Sequence, residues 1–105
     1  MPFFRLSIVT KVERNMALSQ IRDCVSAQGG WITDHSLFSN RAATLNVEMP
    51  LAALPGFMAA LNEAGFTAKT DAALPAGETG DCRGSLSITF IHGDPDLKQA
   101  VPPFG

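Results

Sequence analysis

The stretch Gly29 to Met49, GGWITDHSLFSNRAATLNVEM, decides how this chain is read. From Ala42 to Met49 apolar and polar residues alternate. Ala43, Leu45, Val47 and Met49 point one way; Thr44, Asn46 and Glu48 point the other. That period of two is the mark of a half-buried strand. Trp31 to Ser39 is a second extended arm with a less regular pattern. Trp31, Thr33, His35 and Leu37 share one face, and Ile32, Asp34, Ser36 and Phe38 the other. The apolar side switches along the arm, which predicts a bulge or burial of both faces near its end. Ser39-Asn40-Arg41 is the turn that joins the arms into a hairpin.

Outward from the hairpin, the elements repeat in kind. Phe4, Leu6 and Ile8 alternate with Arg5, Ser7 and Val9, predicting a strand over 3–11. Between Ala17 and Gln28 the spacing changes to three and four: Leu18, Ile21 and Val25 form one stripe, with Met16 and Cys24 near it. This is an amphipathic helix, with Asn15 as its expected N-cap and Gly29 or Gly30 as its C-cap. Past the hairpin, Pro50 marks a second helix start. Leu51, Leu54, Phe57 or Met58, and Leu61 form its stripe, and Pro55 belongs in its first regular turn, after a looser lead-in. Phe66 to Thr70 reads as a short strand. Asp71 to Gly84 reads as a long loop, and Leu86, Ile88 and Phe90 mark a further strand that ends at His92-Gly93. Asp94-Pro95-Asp96 caps a short helical turn, and a tail follows.

Strand, helix, strand, strand, helix, strand, plus one added strand, implies an α+β fold. One apolar face per strand and two amphipathic helices make a two-layer sandwich. Right-handed crossovers give it the ferredoxin-like βαββαβ arrangement with a mainly antiparallel sheet. Residues 1–93 form the single domain, and 94–105 the helical turn and tail. The uncovered face carries Arg5, Ser7, Thr44, Asn46 and Glu48, with Ser87 and Thr89 as further candidates. Whether the strand at Phe66–Thr70 or the one at Ser85–Ile91 borders the first strand stays open, and the second could pair across a dimer.

Composition narrows the function. The chain has 105 residues, 46% apolar, 17% charged, with a net charge of −2. Its basic residues are scattered from Arg5 to Lys98, which argues against a nucleic-acid module. The open face of the first and third strands holds none of the aromatic residues that base stacking needs. The first loop has no cysteine, so it is no metal-chaperone site. No stretch reaches the roughly 18 apolar residues of a membrane span. The N-terminus lacks a signal-peptide pattern. The expected location is the cytoplasm, with Cys24 and Cys82 reduced.

Glu13-Arg14-Asn15-Met16-Ala17-Leu18-Ser19-Gln20-Ile21, followed by Gly29-Gly30-Trp31-Ile32-Thr33-Asp34-His35-Ser36, resembles an ACT domain. The resemblance covers about residues 4–70. It implies a regulatory module, without catalysis or cofactor, that binds an amino acid or similar small molecule between two copies paired side by side. It places ligand contacts at Asn15, Met16 and Ala17, with Asp34 and His35 beside them. The family has Pro where this chain has Asn15, and Gly where it has Met16. Glycine there lets backbone N–H groups approach a carboxylate closely, whereas methionine brings a side chain. A pure dimerisation or interaction module is therefore the alternative, and a small enzyme using His35 or His92 is the third reading. Plainer roles compete at each residue. Adjacent Asp34 and His35 face opposite ways in a regular strand. Asp94 and Asp96 serve as a helix cap more simply than, with His92, as a metal site. Cys24 belongs to the core, and Cys82 reads as a loop cysteine of no special role.

Overall fold

A computed structural model of the chain describes residues 1–70 and 72–91. The elements are β1 (Phe3–Thr10), α1 (Arg14–Ala27), β2 (Trp31–Leu37), β3 (Ala42–Pro50), α2 (Leu54–Glu63), β4 (Ala68–Lys69) and β5 (Asp81–Phe90). His92, the helical turn expected from Asp94 and the tail lie outside the described residues. The fold is α+β, with two helices and one five-stranded mixed sheet of order β2-β3-β5-β1-β4. Pairing is antiparallel everywhere except between β1 and β5, which run parallel. Both late strands border β1: β5 on one side and β4 on the other. The alternatives left open by the sequence are thus both realised within one chain.

The core lies on one face of the sheet. Phe4, Leu6 and Ile8 of β1, Ala43, Leu45, Val47 and Met49 of β3, and Leu86, Ile88 and Phe90 of β5 are all buried there. Ile21, Val25, Leu54, Phe57 and Leu61 from the two helices complete the same cluster. Burying a side chain of this size is worth about 1.5–3 kcal/mol, so these stripes are what hold the two layers together. Phe4 and Phe57 meet across the layers at 6.4 Å between ring centroids, tilted by 57°.

Local chemistry explains the element ends. Gly29 adopts φ +75° and closes α1. A Cβ on Gly30 would lie 2.8 Å from the Glu48 carbonyl oxygen and 2.9 Å from Met49 Cβ, so only glycine lets the chain turn from α1 into β2 at this distance from β3. Pro50 closes β3, Leu51–Ala53 forms a 3-10 turn, and Pro55 sits in the first turn of α2, as its fixed φ allows. The bulge expected in the first hairpin arm lies between Ile32 and Asp34.

Three expectations are corrected. α1 starts at Arg14 instead of Ala17, and Glu13 rather than Asn15 is its N-cap. Its carboxylate accepts hydrogen bonds from the backbone N–H groups of Asn15 (2.9 Å) and Met16 (3.1 Å). Asn15 already lies in the first turn of the helix, where its own backbone amide is one of the two that Glu13 holds. β5 begins at Asp81, inside the stretch expected to be loop, because pairing with β3 and β1 outweighs the turn-like composition of Asp81–Gly84. Cys82 is therefore no loop cysteine: it is fully buried in the sheet, like the buried Cys24 of α1. Burial pushes both thiols up, and the neighbouring Asp81 and Asp23 add to the effect.

Two outcomes are expected. Gly84 lies directly against the Phe4 ring, so Gly84→Ala forces that ring off its seat between the layers. Denaturant unfolding of Gly84→Ala should show a loss of about 1–3 kcal/mol; an unchanged midpoint would mean that Phe4 moves freely. The amide hydrogen bonds hold the Glu13 carboxyl below its ordinary value of 4.5. A depressed folded-state pKa stabilises the fold above the unfolded-state value, and the contribution is lost as pH falls through the folded-state value. Glu13→Gln should therefore melt lower than the parent chain near neutrality, with the gap closing below about pH 4. A gap that persists at low pH would show that charge at Glu13 is not what stabilises the cap.

Candidate functional site

The five residue types expected to meet a ligand do not converge. Asn15 and Met16 are exposed at the start of α1, and Ala17 is buried beneath it. The Ala17 N–H donates to the Glu13 carbonyl at 2.8 Å, and the Asn15 and Met16 amides to the Glu13 carboxylate. All three donors that could hold a ligand carboxylate already have an acceptor from the chain itself. Beside them, Arg14 Nη1 donates to Asn40 Oδ1 at 3.2 Å and ties the hairpin turn to the helix start.

Asp34 and His35 fall on opposite sides of β2. Asp34 stands opposite Asn46 on the open face, and His35 opposite the buried Leu45 on the helix side. His35 lines a groove of about 420 Å³ with Arg22, Ser26, Gly30 and Trp31, between α1 and the edge strand. That groove adjoins the second half of α1, away from Asn15 and Met16.

The larger groove lies on the uncovered face of the sheet, where β4, β1 and β5 run side by side. It measures about 460 Å³ and is lined by Arg5, Ser7, Lys69, Thr70, Ser85 and Ser87. Register builds it. Parallel pairing sets Arg5 beside Ser85 and Ser7 beside Ser87, and antiparallel pairing sets Lys69 beside Ser7. Small hydroxyl side chains form the floor, and two long cationic side chains rise from it. Arg5 is braced by the Phe3 ring, 5.5 Å from guanidinium carbon to ring centroid, a contact of about 0.5–1 kcal/mol at an exposed site.

The electrostatics of this face are uneven. Arg83 Nη2 pairs with Glu48 Oε2 at 3.1 Å, and this is the one ion pair among the described residues. Among the described residues neither Arg5 nor Lys69 pairs with a carboxylate. The groove thus offers two positive charges and a row of hydroxyl donors, a set that suits an anion. Among the described residues that line it there is no histidine, cysteine or carboxylate. Among the described residues no group of three or more His, Cys, Asp and Glu could hold a metal ion.

Arg5 and Ser7 are visible in the sequence as open-face residues. Lys69 and Ser85 are not, because they join the face only through strand order. A parallel neighbour nearly eighty residues away leaves no local trace. Among the described residues no helix is long and apolar enough to cross a membrane. Compared with models of known protein families, with curated proteins and with solved structures, the chain matches none.

Proposed function

We propose that this chain is a regulatory module without catalysis of its own, which binds a small carboxylate-bearing molecule, amino acids included. The ligand takes the groove on the open face of the sheet, not the first strand-helix loop. One observation carries this reading: Arg5 and Lys69 stand over a floor of Ser7, Ser85 and Ser87 with no carboxylate partner among the described residues. The ACT-like resemblance of residues 4–70 supports the regulatory role. On this reading the frame is ferredoxin-like: leaving out β5, the remaining strands stand in the order β2-β3-β1-β4. The added strand opens that frame and furnishes Ser85 and Ser87 of the groove floor.

A second reading, a dimerisation module that takes no ligand, draws on the cap of α1. Glu13 already fills the amides where the resemblance places a ligand carboxylate.

Thermal shift and calorimetry against amino acids, dicarboxylates and inorganic phosphate separate the two. A ligand at 100 times its dissociation constant adds about 2.7 kcal/mol of stability, a readily measured shift. Each charge-assisted hydrogen bond contributes about 1.5–3 kcal/mol, so Arg5→Ala should weaken binding at least tenfold and Lys69→Ala should weaken it too. Met16→Gly should leave binding unchanged. If no compound shifts the melting temperature at millimolar concentration, the ligand reading is wrong, and a dimer seen by sedimentation would then favour the second.

A further inference from the structure

We infer that the free edge of β2, with the groove beside it, takes an extended peptide segment that carries an acidic side chain and adds to the sheet as a further strand. The sheet has two edges, β4 and β2. β4 has two residues, too few to template a strand. β2 has seven, and among the described residues no strand borders its outer side.

Backbone register tells which groups are free on that edge. In an antiparallel pair, alternate residues bond to the partner strand, and those between them point the other way. The Phe38 N–H donates to the Ala42 carbonyl at 3.0 Å. Counted back along the register, Ser36 then bonds to Thr44 and Asp34 to Asn46. The far side of β3 agrees. The Phe90 N–H donates to the Arg41 carbonyl at 2.8 Å, so Ala43 and Leu45 turn toward β5, and Ala42, Thr44 and Asn46 toward β2. His35 and Leu37 therefore point their N–H and C=O groups outward. The bulge after Ile32 interrupts this order. A bulged edge discourages open-ended strand stacking and leaves a short regular stretch, suited to one segment.

The side chains beside the edge choose that segment. His35 and Leu37 stand opposite the buried Leu45 and Ala43, on the helix side of the sheet, and Leu37 is 50% exposed there. Along them runs the groove of about 420 Å³ between α1 and β2, which Arg22, Val25, Ser26 and His35 help to line. Among the described residues Arg22 pairs with no carboxylate. Asp23 is not among the lining residues, and Asp34 is on the other face of the sheet. A strand added antiparallel to β2 alternates its side chains in step with it. Its residue opposite His35 lies over the groove that His35 shares with Arg22, and its residue two positions away lies against Leu37. A carboxylate at the first position meets the guanidinium. An apolar side chain at the second covers Leu37. Strand addition works by this division: the edge backbone gives affinity, and alternate side chains give specificity.

The probe is a peptide with blocked ends, Thr-Val-Thr-Glu-Thr-Val-Thr, titrated into the full chain. Amide hydrogen exchange followed by NMR should show His35 and Leu37 exchanging freely in the chain alone, with Ser36 protected, and both slowing once the peptide is added. Arg22→Ala should weaken binding at least about tenfold, with circular dichroism unchanged. The same peptide with lysine in place of glutamate should prefer Arg22→Glu to the parent chain. No slowing at His35 and Leu37 at millimolar peptide overturns the inference, as does binding indifferent to both Arg22 variants. Protection of both amides in the chain alone equally overturns it. If that protection is lost on dilution, a second copy holds the edge; if it persists, the chain's own remaining residues do. Arg5 and Lys69 take no part in these readouts, so a failed ligand screen leaves them intact.

Discussion

The structure depends on β5 lying between β3 and β1. β1 and β3 do not touch: every backbone bond that joins the β2-β3 hairpin to the β1-β4 pair passes through this one strand. It must therefore satisfy neighbours on both edges and a packed layer on one face. Its inward residues, Cys82, Gly84, Leu86, Ile88 and Phe90, are all buried. Gly84 is the tight point, because the Phe4 ring occupies the space a side chain would need. A buried charge or a proline within this strand would divide the sheet.

The same strand makes the candidate site. Its outward residues Ser85, Ser87 and Thr89 are short, so the open face is low there, while Arg5 and Lys69 stand beside them on one flank. Nothing in the core requires this; hydrophobic burial fixes only the inward half of each strand. The outward half is free of that packing constraint, and there Arg5, Ser7, Lys69, Ser85 and Ser87 stand together.

The start of α1 shows how little apolar spacing says about which backbone amides stay open. The apolar spacing after Glu13 predicts a helix, and the helix forms there. Yet Glu13 turns its own carboxylate onto the amides of Asn15 and Met16. Whether a helix terminus stays open to a ligand depends on one side chain's reach, and apolar spacing says nothing of that. The Asp34-His35 pair was better legible. Adjacent residues of a strand face opposite ways, and the bulge falls before both of them, so they are divided between the two faces of the sheet.

From the sequence alone came the elements: alternating strands, two amphipathic helices, the Gly29-Gly30 stop, the hairpin turn and the polar list of the open face. These follow from local periodicity and backbone chemistry, which neighbouring residues determine. Only the tertiary structure decided that Asp81–Gly84 belongs to a strand, that this strand is central, and that Lys69 and Ser85 stand beside Ser7 and Arg5. Strand order rests on hydrogen bonds between residues far apart in the chain. A backbone carries the same donors and acceptors at every position, so its pairing partner is chosen by packing of the whole sheet and is not encoded in any one stretch.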